Sequence, residues 1–184
     1  MLKITVSNLI KKLSIKDISK DYYRLKIVGP FGVIQNYFRK EINVIIKNNT
    51  ICLNTEVFVK ETKSLLQSYK TILKNAFNDV DFGFFVILEV RGVGTKVSYE
   101  SRDGNLIFNL GLSHPVKYYL PKGIIAKVLD SRSTIFLLMG SDRNVVLSTA
   151  AKIRSLKKID MYKGKGIFFF EEQILLKEGK GKNT

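Results

Sequence analysis

The chain has 184 residues, of which 45% are apolar, 31 are Lys or Arg and 16 are Asp or Glu, giving a formal net charge of +15. That much apolar side chain supports a folded core, yet no apolar run approaches the roughly 20 residues that a spanning helix needs, so no membrane partner is expected. A single cysteine, Cys52, and a single histidine, His114, exclude an internal disulfide and a conventional Cys/His zinc site, and neither metal nor cofactor is expected.

The opening stretch Met1-Leu-Lys-Ile-Thr-Val-Ser has neither the apolar core of a signal peptide nor the Arg- and Ser-rich character of a transit peptide. The protein is therefore expected to stay in the compartment where it is made, unless a presequence has been removed. Leu2, Ile4 and Val6 alternate as in a short strand, and the following apolar residues to Ile18 suggest an irregular or helical segment. Tyr23–Val28 alternates at period two and runs into Gly29-Pro30-Phe31-Gly32, a strand entering a turn. Ile42–Ile46 and Thr50–Leu53 flank Lys47-Asn48-Asn49, a hairpin signal because Asn tolerates the left-handed region. From Val57 to Val80 the period changes: Val59, Thr62, Leu66, Tyr69, Leu73 and Ala76 recur at three and four, which predicts an amphipathic helix. Its lysines occupy a solvated face, and the run from Asn78 to Gly83 marks a boundary.

The second half repeats this plan. Phe84–Val90, Thr95–Tyr99, Leu106–Leu110, Lys117–Leu120, Ile125–Leu129 and Thr134–Met139 read as strands, and Asn144–Ile159 reads as a helix burying Val146, Ala150 and Ile153. Phe168–Leu176 returns to extended character. Gly29-Pro30-Phe31-Gly32 matches Leu120-Pro121-Lys122-Gly123 at an offset of 91, and Thr50-Ile51 matches Thr134-Ile135 at an offset of 84. The expected class is α+β: two tandem similar domains, each a mostly antiparallel sheet packed against one helix. The expected boundaries are 1–82, 83–176 and a basic tail, 177–184, that lacks the means to build a core.

Positive charge is spread through the chain, with 14 basic and 7 acidic residues in 1–82 and 17 and 9 in 83–184. Such a distribution suits a body embedded among phosphates better than a neutral body with a basic arm. The densest stretch is Thr149–Ile167, with six cations against the one acid Asp160. Lys152, Arg154, Lys157 and Lys158 fall in the last turns of the expected helix, and Arg154 and Lys158 share a face at i and i+4. Beyond them, Met161-Tyr-Lys-Gly-Lys-Gly-Ile167 combines Lys163 and Lys165 with Tyr162, which can stack or hydrogen-bond, and with bare backbone at Gly164 and Gly166. That combination fits a phosphate backbone better than a small-molecule pocket.

Enzymatic readings are poorly supported. Lys163-Gly164-Lys165-Gly166 lacks the spacing of a nucleotide P-loop and follows a helix instead of opening one, while Gly92-x-Gly94 is only half of a dinucleotide fingerprint. His114, between Ser113 and Pro115, has no partners in a recognisable triad, so a structural or phosphate-contacting role suits it better than catalysis. Glu171 and Glu172 are expected on opposite faces of a strand and so do not form a carboxylate pair. Cys52 is expected in the core, and so are at least some of the rings of Tyr118-Tyr119 and Phe168-Phe169-Phe170. The chain is not expected to be an enzyme.

Five blocks carry a resemblance: Gly111-Leu-Ser-His-Pro-Val116, Pro121-Lys-Gly-Ile124, Gly140-Ser-Asp-Arg-Asn-Val-Val146, Ala150-Ala-Lys-Ile-Arg154 and Tyr162-Lys-Gly-Lys-Gly-Ile167. In order and spacing the second half resembles the ribosomal protein L-six family of the large subunit, and Gly29-Pro30-x-Gly32 is similar to that family's weaker N-terminal signature. The chain departs from the family at Leu147-Ser148, usually Gly-Gln, and at Ile159-Asp160-Met161, usually Pro-Glu-Pro. The resemblance implies two tandem α+β domains, no enzymatic activity and a structural place in the large ribosomal subunit. Implied partners are large-subunit rRNA near the sarcin–ricin loop, neighbouring large-subunit ribosomal proteins, and translational GTPases docking close by.

Carried over by motif, the implied rRNA contacts are Lys152, Arg154, Tyr162, Lys163, Gly164, Lys165 and Gly166. Ser113 and His114 join them in a second loop, and Lys177, Lys180 and Lys182 extend them along the tail. The alternative is a free RNA-binding or assembly factor that leaves the mature particle. Abundant Lys, Ile, Asn, Phe and Tyr with scarce Ala and no Trp fit a very AT-rich genome. With the drift from the family pattern, this points to a mitochondrion-encoded copy, the alternatives being the cytoplasm of an AT-rich bacterium or a plastid stroma.

Overall fold

Alternating strands and one long amphipathic helix build the first half of the chain. The computed structural model describes residues 2–6, 9–47, 50–55, 60–101 and 103–178. The Asn48-Asn49 turn, the Val57–Val59 start expected for the first helix, Arg102, and the tail lysines Lys180 and Lys182 lie outside those residues. Two compact units divide the chain, Met1–Phe84 with Ser141–Arg143 and Phe85–Gly140 with Asn144–Thr184. Both are α+β.

The first unit contains β1 (Leu2–Thr5), β2 (Lys12–Asp17), β3 (Tyr22–Val28), β4 (Val33–Arg39), β5 (Ile42–Lys47), β6 (Thr50–Thr55) and α1 (Lys60–Phe82). The strands form two antiparallel sheets, ordered β1-β6-β5 and β2-β3-β4. Helix α1 turns Leu66, Tyr69, Leu73, Ala76, Phe77 and Val80 inward, the spacing that lines one helical face. It stops at Gly83, whose N–H returns to the Asp79 carbonyl at 3.0 Å. The helix packs against Leu25, Ile27, Phe38, Ile51 and Leu53, all essentially inaccessible. The Phe38 ring stacks on Tyr23 at 5.7 Å and meets Tyr69 edge-on at 4.7 Å, contacts worth about 0.5–1.5 kcal/mol each beyond simple burial. Asp79, buried, is answered in the same unit by Arg143, whose guanidinium donates to it at 2.9 and 3.2 Å.

The second unit uses β7 (Phe84–Arg91), β8 (Lys96–Glu100), β9 (Asn105–Asn109), β10 (Val116–Tyr119), β11 (Ile124–Val128), β12 (Ile135–Gly140), α2 (Arg143–Ser155) and β13 (Gly166–Phe169), the opening residues Phe84 of β7 and Arg143 of α2 counting with the first unit. Its sheets are ordered β10-β9-β8 and β11-β12-β7-β13. Val146, Ala150 and Ile153 of α2 are fully buried with Leu88, Phe136, Leu138 and Phe168, and Phe108 meets Phe136 edge-on at 5.5 Å. Asp142, a favoured N-cap residue type, precedes α2, and Lys152 and Arg154 lie in its last turn, where cations suit the helix dipole.

Strand order makes the repetition explicit. The β1-β6-β5 sheet corresponds to β7-β12-β11, and β2-β3-β4 corresponds to β8-β9-β10, with β13 added, among the described residues, only in the second unit. Thr50-Ile51 and Thr134-Ile135 open the equivalent strands β6 and β12. The Gly-Pro and Pro-Lys-Gly turns are not equivalent: one joins β3 to β4, the other β10 to β11. Short Gly/Pro turns recur wherever strands reverse, so this match reflects turn chemistry and not descent.

Four further expectations change. Residues Lys12–Asp17 form a strand, not an irregular or helical segment, and Val33–Arg39 adds a strand beside Tyr22–Val28. Helix α2 ends at Ser155, so Lys157 and Lys158 follow the helix and Lys158 shares no helical face with Arg154. The extended run after Phe168 stops at Phe169, because Glu171 turns the chain at φ 63°.

Candidate nucleic-acid interface

The segment between α2 and β13 is folded around the acid that interrupts its cations. Asp160 accepts a hydrogen bond at Oδ1 from the Tyr162 N–H at 2.9 Å. Its own N–H donates to the Lys165 carbonyl at 2.8 Å, and its carbonyl accepts from the Gly164 N–H at 2.8 Å. The Tyr162 amide, then the Lys163 amide and the ammonium groups of Lys163 and Lys165, hold the Asp160 carboxyl below the usual carboxylate range. Amides that otherwise suit a phosphate are thus turned onto an internal carboxylate. What the loop offers outward is side chains, with Tyr162 and Lys163 exposed and Lys165 half-buried.

The two glycines serve this internal geometry. Gly164 takes φ +62°, and a Cβ there would meet Leu176 at 3.4 Å. Gly166 is buried at φ +148°, and a Cβ would lie 2.9 Å from the Ile159 Cα and 3.3 Å from the Lys158 carbonyl oxygen. Only glycine lets β13 start this close to the chain leaving α2.

Two cations of the expected set are engaged within the unit. Arg154 donates to Glu172 at 2.6 Å and lies 5.3 Å from the Phe169 ring centre, while the other Glu172 oxygen accepts from the Phe169 N–H at 3.1 Å. Lys157 donates through Nζ to the Leu110 carbonyl, anchoring the start of the Gly111–Pro115 loop. In that loop Ser113 and His114 are exposed, with Ser113 Oγ 3.2 Å from His114 Nδ1. Lys152, Lys158 and Lys177 are exposed, and the Lys177 N–H donates to the Met161 carbonyl at 2.9 Å, laying the tail beside the loop.

A groove of about 860 Å³ runs between loop and tail, lined by Arg91, Lys163, Glu171, Glu172, Ile174 and Leu176 among others. Arg91 pairs with Glu89 at 2.9 Å and covers the Phe168 ring at 4.5 Å. Three residues of this site are missed in the one-dimensional pattern. Asp160 reads there as a stray acid, Glu172 as half of an idle pair, and Arg91 as the first residue of a bend. The Asp-x-Tyr spacing before the glycines, an Asx-turn signature, was the cue for the first.

Fold and site together define a class: a twice-built, strongly cationic α+β protein in which, among the described residues, no group of three or more His, Cys, Asp or Glu is placed to hold a metal. No helix among those residues is long and apolar enough to cross a membrane. The family model for ribosomal protein L6 matches residues 91–169. Large ribosomal subunit protein uL6 of Anaeromyxobacter sp. (strain Fw109-5) is 36% identical over 163 residues, covering 89% of each chain. The Myxococcus xanthus (strain DK1622) protein of the same name is 38% identical over 85% of this chain and 86% of its own, and that of Clostridioides difficile (strain 630) is 36% identical over 84% and 83%. The chain belongs to the ribosomal protein L6 (uL6) family, whose members are structural and not enzymatic.

Proposed function

We propose that this protein is a structural constituent of a large ribosomal subunit whose second unit, Phe85–Gly140 with Asn144–Thr184, holds rRNA near the sarcin–ricin loop and the region where translational GTPases dock. The observation that carries the reading is the Asp160–Lys165 loop, which projects Tyr162 and Lys163 beside exposed Lys158 and Lys177. Phosphate neutralisation by these lysines and Lys152 supplies affinity, and the Tyr162 ring stacks or hydrogen-bonds. Ser113 and His114 form a second contact, held in place from Leu110 by Lys157. Neighbouring large-subunit proteins complete the surroundings. The AT-rich residue bias supports a mitochondrial ribosome as the destination.

Charge reversal tests the reading. Lys163→Glu with Lys165→Glu is expected to leave the isolated fold intact by circular dichroism and to deplete the protein from large subunits sedimented at high salt. Normal incorporation of that double variant contradicts it. Fractionation of tagged chain with mitochondrial ribosomes tests the compartment, and recovery only with cytoplasmic or plastid ribosomes refutes it.

A further inference from the structure

The outward face of β2-β3-β4 carries a charge pattern that the fold of the first unit does not need. Register places Lys12, Ser14 and Lys16 of β2, Tyr22, Arg24, Lys26 and Val28 of β3, and Val33, Gln35, Tyr37 and Arg39 of β4 on one side. The opposite side carries the core residues Tyr23, Leu25, Ile27, Ile34 and Phe38. Five of the eleven outward residues are cations and none is an acid. Asp21 and Glu41 lie beyond the strand ends, against Tyr22 and Arg39. Lys16 stands directly opposite Arg24 across the ladder, a like-charge pairing that destabilises a sheet. Arg24 gives one N–H to Gln35 at 3.3 Å, while its buried Nε has no partner. Tyr37, 58% exposed, faces Arg24 from the other side, and Tyr22, 42% exposed, is hydrogen-bonded to Arg39.

We infer that this face is a second RNA-binding surface, taking an unpaired rRNA segment with bases stacked on Tyr37 and Tyr22 and phosphates along Lys12, Lys16, Arg24 and Lys26. Charge complementarity selects the occupant: an uncompensated row of cations flanked by exposed rings is the arrangement that binds single-stranded nucleic acid, in which stacking tolerates sequence and the backbone is neutralised. Tyr22 of β3 and Tyr37 of β4 are diagonal neighbours on this one face, so a single strand of bases reaches both. The inference goes beyond the contact assigned above to the second unit, and either can fail alone.

The full-length protein, titrated with a 12-nucleotide oligouridylate and with large-subunit rRNA over 50–200 mM salt, tests it. Lys16→Gln with Lys26→Gln is expected to lower the salt slope by about 1.4, two single-strand phosphate contacts, for both probes. Tyr37→Ala is expected to weaken oligouridylate binding by about fivefold or more at unchanged slope, and Tyr37→Phe to retain it. An unchanged slope in the lysine pair, beside a reduced one in Lys163→Glu with Lys165→Glu, overturns the sheet contact and leaves the loop contact standing. A photocrosslink from Tyr37 to a ribosomal protein in assembled subunits, with RNA binding unaffected, assigns the face to an acidic protein and likewise overturns the inference.

Discussion

The two units share a strand plan and differ in where their positive charge stands. In the first, the outward face of β2-β3-β4 holds five cations and no carboxylate. The matching face of the second, on β8-β9-β10, holds Lys96, Lys117 and Glu100 among uncharged residues, and Lys117 pairs with Glu100 at 4.0 Å. The second unit's densest run of cations lies instead from the last turn of its helix into the segment that leads to β13. Inward positions of both units obey the same packing demand, whereas outward positions are free to diverge. Function therefore belongs to what is placed on the plan and not to the plan itself.

The largest expected effect comes from removing the second unit's distinctive feature. Lys163→Glu with Lys165→Glu is expected to lower the rRNA salt slope by at least about 1.4–1.8, the value for two phosphate contacts. Equal slopes for variant and parent would make the two units alike and break the comparison. Next is Gly166→Ala, which forces a Cβ to 2.9 Å from the Ile159 Cα at φ +148°. A loss of about 1–3 kcal/mol in urea unfolding is expected, with Gly104→Ala, which has open space around it, as a milder left-handed control.

Arg154 sharpens the comparison further, because it is a cation of the contact set that the structure pairs internally. Arg154→Ala is expected to cost about 1 kcal/mol, since both partners are partly exposed and screened. The swap Arg154→Glu with Glu172→Arg is expected to recover rRNA affinity if the residue positions β13 against α2. A swap worse than Arg154→Glu alone would make Arg154 a direct contact. The smallest effect is the acid response of the loop. Asp160 is held below its ordinary value of 3.8, chiefly by the Tyr162 amide. The depressed value means that its contribution to loop order is complete above that ordinary value and lost as pH falls through the lower folded one. Protection of the Tyr162 amide from exchange, relative to unstructured chain at the same pH, should fall across that acid window and should be absent at every pH in Asp160→Ala.

Much of the fold was legible because the inward faces alternate cleanly, as in Tyr23, Leu25 and Ile27, or recur at helical spacing, as in Leu66, Tyr69, Leu73 and Ala76. Val33–Arg39 escaped because Val33 and Tyr37 lie outward while Asn36 lies inward, blurring the period. Lys12–Asp17 escaped because only Leu13 and Ile15 mark its inward phase, while Ile10 and Ile18 on either side fall in the other. The helical pattern past Ser155 continued through Leu156, but Lys157 reaches the Leu110 carbonyl, a long-range contact with no local signal. At the site, residue types located the cations as a group in one segment, Thr149–Ile167. Which of them are engaged internally depends on Glu172 and Leu110, distant in sequence and close only after folding.

The most direct test is a side-chain-resolution map of the large subunit containing this chain. Ribosomal RNA phosphates should lie against the ammonium groups of Lys163 and Lys165. Both groups in open solvent, with the RNA elsewhere on the protein, would contradict the account.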